Sequence, residues 1–156
     1  MDWTLFDYVF AGGMLACLLL GSVLVLKTQR HWAARLAGGL ALVTFFLLVW
    51  SVGAVGIIGG SDDDANLAYL ALPFLALAGA MTTRLRASGL GVTFALIAVG
   101  QVLIGLVALI AGLGSSGPAW PMDIIAATLV FAALFAASAA LFRFAARAQA
   151  ASSLSR

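Results

Sequence analysis

Residues 67–83 read LAYLALPFLALAGAMTT, and whether this run crosses a lipid bilayer decides the fold. It is the shortest of five apolar stretches, and Pro73 lies inside it. A proline there removes one helical hydrogen bond and crowds the preceding turn. The residues of the run alone leave both a re-entrant half-helix and a full crossing open.

The flanking charges choose between them. The other apolar runs are 3–26, 32–58, 89–113 and 120–142, each near the ~20 residues that a helix needs to span hydrocarbon. If all five cross, Lys27, Arg30, Arg35, Arg84, Arg86, Arg143, Arg147 and Arg156 share one side, which gathers all eight basic residues. Asp2, Asp7, Asp62, Asp63, Asp64 and Asp123 then lie opposite. If 67–83 turns back, the basic residues split between the two sides. Lysine and arginine set membrane topology, so the sequence predicts five crossings, an outside N-terminus and a cytoplasmic C-terminus. Residues 143–156 form a short cytoplasmic tail in this reading.

Composition requires a membrane. Hydrophobic residues make up 64% of the 156, charged residues only 9%, and the mean hydropathy is +1.15. Small soluble domains leave too much surface in water to hide that much apolar area. Helices are the expected spanning form because each backbone polar group must be paired within its own segment. The pI near 9.2 comes from basic residues flanking apolar runs, which are topology signals and not a nucleic-acid surface. Cys17 is the single cysteine, so neither an internal disulfide nor a cysteine metal cluster is expected. The MLAC stretch has no basic residue before it and the apolar run continues to Leu26, so the first segment is expected to be a retained span.

The connections carry turn and cap chemistry: KTQRHW, GGSDDDAN, TRLRASG and GSSGPAWPMD. In SDDDAN, Ser61 or one of the aspartates can accept bonds from the first unpaired N–H groups of the third helix. Asp123, after Pro121, can do the same for the fifth. A sharper reading is a divalent-cation site built from Asp62, Asp63 and Asp64 with Asn66 and Asp123. Consecutive carboxylates diverge, however, and the glycine and terminal glutamate of an EF-hand are missing. No metal or other cofactor is therefore expected.

No charged residue falls deep within a run, where proton-coupled carriers keep ionisable groups. His31, the only histidine, lies on the basic rim and cannot supply two-histidine haem ligation. Polar residues at depth are Thr44, Ser51, Thr93, Gln101, Thr128 and Ser138. Gln101 is central in its run and is expected to face another helix through an interhelical hydrogen bond. The functional alternative is a polar cleft formed by Gln101, Thr93 and the kink at Pro73. Trp3, Tyr8, Trp50, Tyr69 and Trp120 are expected at one headgroup level and Trp32 at the other.

Small residues at four-residue spacing permit close helix approach. Gly13, Cys17 and Gly21 form one such line, followed by Gly56 with Gly60, Ala108 with Gly112, and Ala132, Ala136 and Ala140.

Four stretches carry a family likeness: DWTLFDYVFAG (2–12), FLLVWSVGAVGIIG (46–59) with its acidic loop and ANLAY, GAMTTRLRASG (79–89) followed by Gln101, and ASAALFRFAAR (137–147). Across nearly its whole length the chain resembles a family of small bacterial inner-membrane proteins that has no assigned activity. Members tend to have a mixed acidic and asparagine loop where this chain has DDD. The resemblance implies a bacterial membrane origin and carries no activity to any residue.

The expected fold is thus an all-α bundle of five transmembrane helices surrounded by membrane lipid. The leading functional class is a non-enzymatic membrane protein that self-associates or serves as an accessory subunit of a larger membrane complex. The alternative is a carrier or channel for a small neutral or apolar solute.

Overall fold

The computed structural model describes residues 4–60 and 63–154, and five long helices account for most of them. They are α1 (Leu5–Thr28), α2 (Trp32–Ala54), α3 (Leu67–Thr82), α4 (Ala87–Ile110) and α5 (Met122–Leu154). A single 3-10 turn, Asp64–Asn66, leads into α3, and no strand occurs among the described residues. All five helices are long and apolar enough to cross a membrane. The helix carrying Pro73 is one of them.

Side-chain contacts fix the registers. Gly21 lies against Leu42 and Gly38 against Val25, so α1 and α2 run antiparallel. Gly79 meets Thr93 and Gly100 meets Leu72 across α3 and α4. Gly105 meets Thr128 and Gly91 meets Arg143 across α4 and α5. The ring closes where Ser138 Oγ donates to the Ala37 carbonyl at 3.2 Å, joining α5 to α2. Helices α2, α3, α4 and α5 therefore form an up-down-up-down ring, with the α4–α5 seam the most extensive and the α2–α3 seam the least. Helix α1 stands outside the ring, chiefly against α2, and has no buried side chain among those described.

The core lies inside this ring. Phe135 of α5 packs 4.8 Å, centroid to centroid, from Phe45 of α2, and Phe94 of α4 packs 5.6 Å from Phe142. Leu48, Ile97 and Ile124 are fully enclosed around them.

Helix ends follow local chemistry. Thr4 and Asp7 form a reciprocal capping box at the start of α1, with the Thr4 amide donating to Asp7 Oδ2 at 2.8 Å. His31 Nδ1 accepts from the Ala33 amide at 3.2 Å and caps α2. The expected run 32–58 ends earlier as a helix, at Ala54, because Gly56 takes φ 78° and turns the chain. Ile57 and Ile58 then fold inward and are buried. Helix α5 runs past the expected end at 142 and includes most of the expected tail. The alanine-rich stretch after Arg143 favours helix, and Ala145 is fully buried.

Because the helices alternate in direction, Asp7, Asp63, Asp64 and Asp123 gather at one end. Lys27, Arg30, Arg35, Arg84, Arg86, Arg143 and Arg147 gather at the other. Asp2, Trp3, Ser61, Asp62 and Arg156 lie outside the described residues.

Candidate functional site

At the acidic end, three of the candidate cation ligands, Asp63, Asn66 and Asp123, make local hydrogen bonds. Asp63 Oδ1 accepts from the Ala65 amide at 2.9 Å and opens the 3-10 turn. Asp123 Oδ1 accepts from the Ile124 amide at 2.7 Å in the first turn of α5. Asp64 is exposed.

Asn66 holds the loop together. Its Oδ1 accepts from the amides of Ile57 and Ile58 at 2.8 and 2.9 Å. Its Nδ2 donates to the carbonyls of Ile58, Gly60 and Asp63 at 3.0, 2.8 and 3.1 Å. Both lone pairs of the amide oxygen are thus occupied, so Asn66 has none to offer a cation in this conformation. The two acidic-end loops do meet, through the backbones of Gly59 and Gly114, at φ 70° and 73°. Among the described residues, no group of three or more His, Cys, Asp or Glu side chains is placed to hold a metal ion.

Deeper in the ring, two of the hydroxyls expected at depth are satisfied within their own helix. Thr44 Oγ1 donates to the Leu40 carbonyl at 2.7 Å, and Thr93 Oγ1 to the Gly89 carbonyl at 3.1 Å. Among the described residues, three side chains have buried polar atoms that are not satisfied. The Tyr69 hydroxyl, the Thr128 hydroxyl and both amide atoms of Gln101 have no hydrogen-bond partner.

These three belong to one region. Tyr69 enters from α3 toward Thr128 of α5, without the geometry of a hydrogen bond. Thr128 packs on Gly105 of α4, and Gln101 lies one turn before Gly105 on the same face. Gln101 and Tyr69 are both fully enclosed. The expected interhelical bond of Gln101 is therefore not made. Tyr69, expected at the headgroup level, is turned inward, because its position on α3 faces the α4–α5 seam. Pro73 adds to the local polarity. It lacks the N–H that the Tyr69 carbonyl, four residues earlier, would otherwise receive.

The expected cleft of Gln101, Thr93 and Pro73 does not form as one unit. Thr93 packs on Gly79, two turns from Gln101 toward the basic end. Pro73 borders a different feature, an apolar groove of about 430 Å3 between α1 and α2. Phe10, Gly13, Cys17, Leu42 and Phe46 line it as well.

Among the small residues, Gly21 sits at the α1–α2 contact, where an added Cβ would come within 2.6 Å of Leu42. Gly13 has open space at its Cβ position, as does Gly60. Gly56 serves the turn after α2. Ala132 is half-buried and Ala136 is exposed. The packing face of α5 is carried instead by Phe131, Phe135, Ser138 and Phe142. Gly91 and Gly105 on α4 make the close approaches to that face.

No protein-family model matches the chain, and no curated protein or solved structure matches it.

Proposed function

We propose that the protein is a non-catalytic component of the bacterial inner membrane that works by associating with another transmembrane segment, either a second copy or a subunit of a larger complex. In this reading the acidic end faces outward and the basic end faces the cytoplasm, in line with the clustering of arginine and lysine.

The observation that carries the reading is the state of α1. This helix touches the ring along one face and has no buried side chain among those described, with Gly12 and Ala16 exposed away from the groove and Gly13 and Cys17 exposed along it. Lipid provides no hydrophobic drive to cover an apolar helix. Association must come from close packing, which small residues permit. A four-helix ring with a loosely held fifth helix suits that role.

Cys17 supplies the test. Mild oxidation of native membranes should yield a disulfide-linked species through Cys17, either a dimer or a cross-link to a partner chain. Extraction in gentle detergent should yield an assembly larger than one chain. A monomer under every condition, with Cys17 never cross-linked, contradicts the reading.

A second reading, transport of a small neutral solute, is favoured by the unsatisfied Tyr69, Gln101 and Thr128 set. Unpartnered polar atoms in a low-dielectric interior are costly, and a polar solute passing through would satisfy them. Solute flux in proteoliposomes that falls in Gln101→Leu would support it. Unchanged flux would remove Gln101 from any such mechanism.

A further inference from the structure

At the basic end, the α1–α2 turn, the α3–α4 turn and the late turns of α5 surround a cavity of about 670 Å3. Arg30 enters it from the first turn, Arg84 and Arg86 from the second, and Gln149 from α5. A recess of about 340 Å3 adjoins it and shares Arg84, Arg86 and Ser88.

Among the described residues, no acidic side chain lines this cavity. The acidic side chains Asp7, Asp63, Asp64 and Asp123 sit at the far end of helices such as the 24-residue α4. At 1.5 Å per residue that is roughly 36 Å away. Screening acts over about 8 Å at physiological salt, so those carboxylates do not neutralise the arginines.

The turns that carry these arginines are also held in place. Gln29 is 5% exposed, and its Nε2 donates to the Leu85 carbonyl at 2.8 Å. Arg35 Nε donates to the Gln29 carbonyl at 2.8 Å. Together these bonds tie α2 and the α1–α2 turn to the α3–α4 turn. Arg84 and Leu85 adopt φ 50° and 58°, a left-handed conformation that L side chains disfavour. The bond from Gln29 holds this turn, which sets Arg84 and Arg86 on either side of Leu85. Helix α4 begins just after, at Ala87, with no side chain capping it, so the positive end of its dipole adds to the same recess.

We propose that this cavity binds a phosphate-bearing anion, with Arg30, Arg84 and Arg86 as its charged ligands. The shared chemistry is an anionic phosphate group, either the headgroup of an anionic phospholipid or a soluble phosphate. Leu85, Ala87, Ala146 and Ala150 supply the apolar part of the lining, which suits a headgroup whose acyl chains continue along the bundle. The assignment goes beyond the association reading and does not depend on it.

The test uses the full-length protein in detergent, with lipid adducts followed by native mass spectrometry and inorganic phosphate by calorimetry. Phosphatidylglycerol should bind in preference to phosphatidylcholine with the same acyl chains. The double variant Arg84→Gln/Arg86→Gln should bind it roughly 25-fold more weakly, at about fivefold for each arginine near a lipid surface. The pair Arg143→Gln/Arg147→Gln, outside the cavity lining, should weaken binding clearly less than the cavity pair does. Should the first variant not purify as a folded species, Arg30→Gln alone should lose about fivefold. Phosphate heat that disappears in the same variant would support the site with a soluble source, and lipid binding without it would support a headgroup. Wild-type binding in the cavity variants, equal losses in the control pair, or no binding of either probe would overturn the proposal.

Discussion

Gly105 of α4 lies so close against Thr128 of α5 that no Cβ fits between them. The contact belongs to the most extensive helix seam and sits one turn from Gln101. Close backbone approach and an unsatisfied polar set therefore share one level of the bundle.

A side chain at position 105 must push the two helices apart. Gly105→Val should lower stability by about 1–3 kcal/mol, the usual range for overpacking. Gly13→Val, where the Cβ position is open, should change it by less than about 0.5 kcal/mol. Thermal unfolding of both variants in one detergent compares them directly. Equal midpoints would contradict the α4–α5 register.

Gln101 should behave as a residue kept at the expense of stability. Its amide is fully enclosed and unbonded, so Gln101→Leu should stabilise the bundle by about 1–3 kcal/mol. Destabilisation would mean that the amide has a partner, such as an enclosed water, in the folded protein.

Asn66→Ala removes the acceptor for Ile57 and Ile58 and the donor for three carbonyls. With those backbone groups left orphaned, the expected loss is at least about 2 kcal/mol. Asp64→Asn, at an exposed position, should lie within about 0.5 kcal/mol of wild type. Chemical or thermal denaturation in detergent separates the two outcomes.

Much of the architecture was legible because lipid imposes simple rules. Run length, turn chemistry and the placement of Lys27 through Arg147 were enough to predict five helices, including the one holding Pro73. The facing of each helix was not legible. In a soluble helix an apolar stripe marks the buried face, but in α5 Ala136 and Phe135 are equally at home in lipid, and only packing distinguishes them. Tyr69 was hidden for a related reason. An aromatic near a helix end suits the headgroup level or the core, and its place depends on the register between α3 and α5. Asn66 offered one signal, a polar residue directly before an apolar run. Its actual partners, Ile57 and Ile58, looked like the continuation of a helix. The basic cavity was visible only as separate turns, since nothing in KTQR or TRLR states that Gln29 will reach the Leu85 carbonyl.

The central claim is that all five helices cross, which places the acidic and basic ends on opposite sides of a membrane. Asp64→Cys and Ser152→Cys, each made in a Cys17→Ala background, place one thiol at each end. A membrane-impermeant maleimide applied to intact cells should label position 64 and leave position 152 unlabelled until the membrane is opened. Labelling of both positions from outside would contradict the five-crossing arrangement.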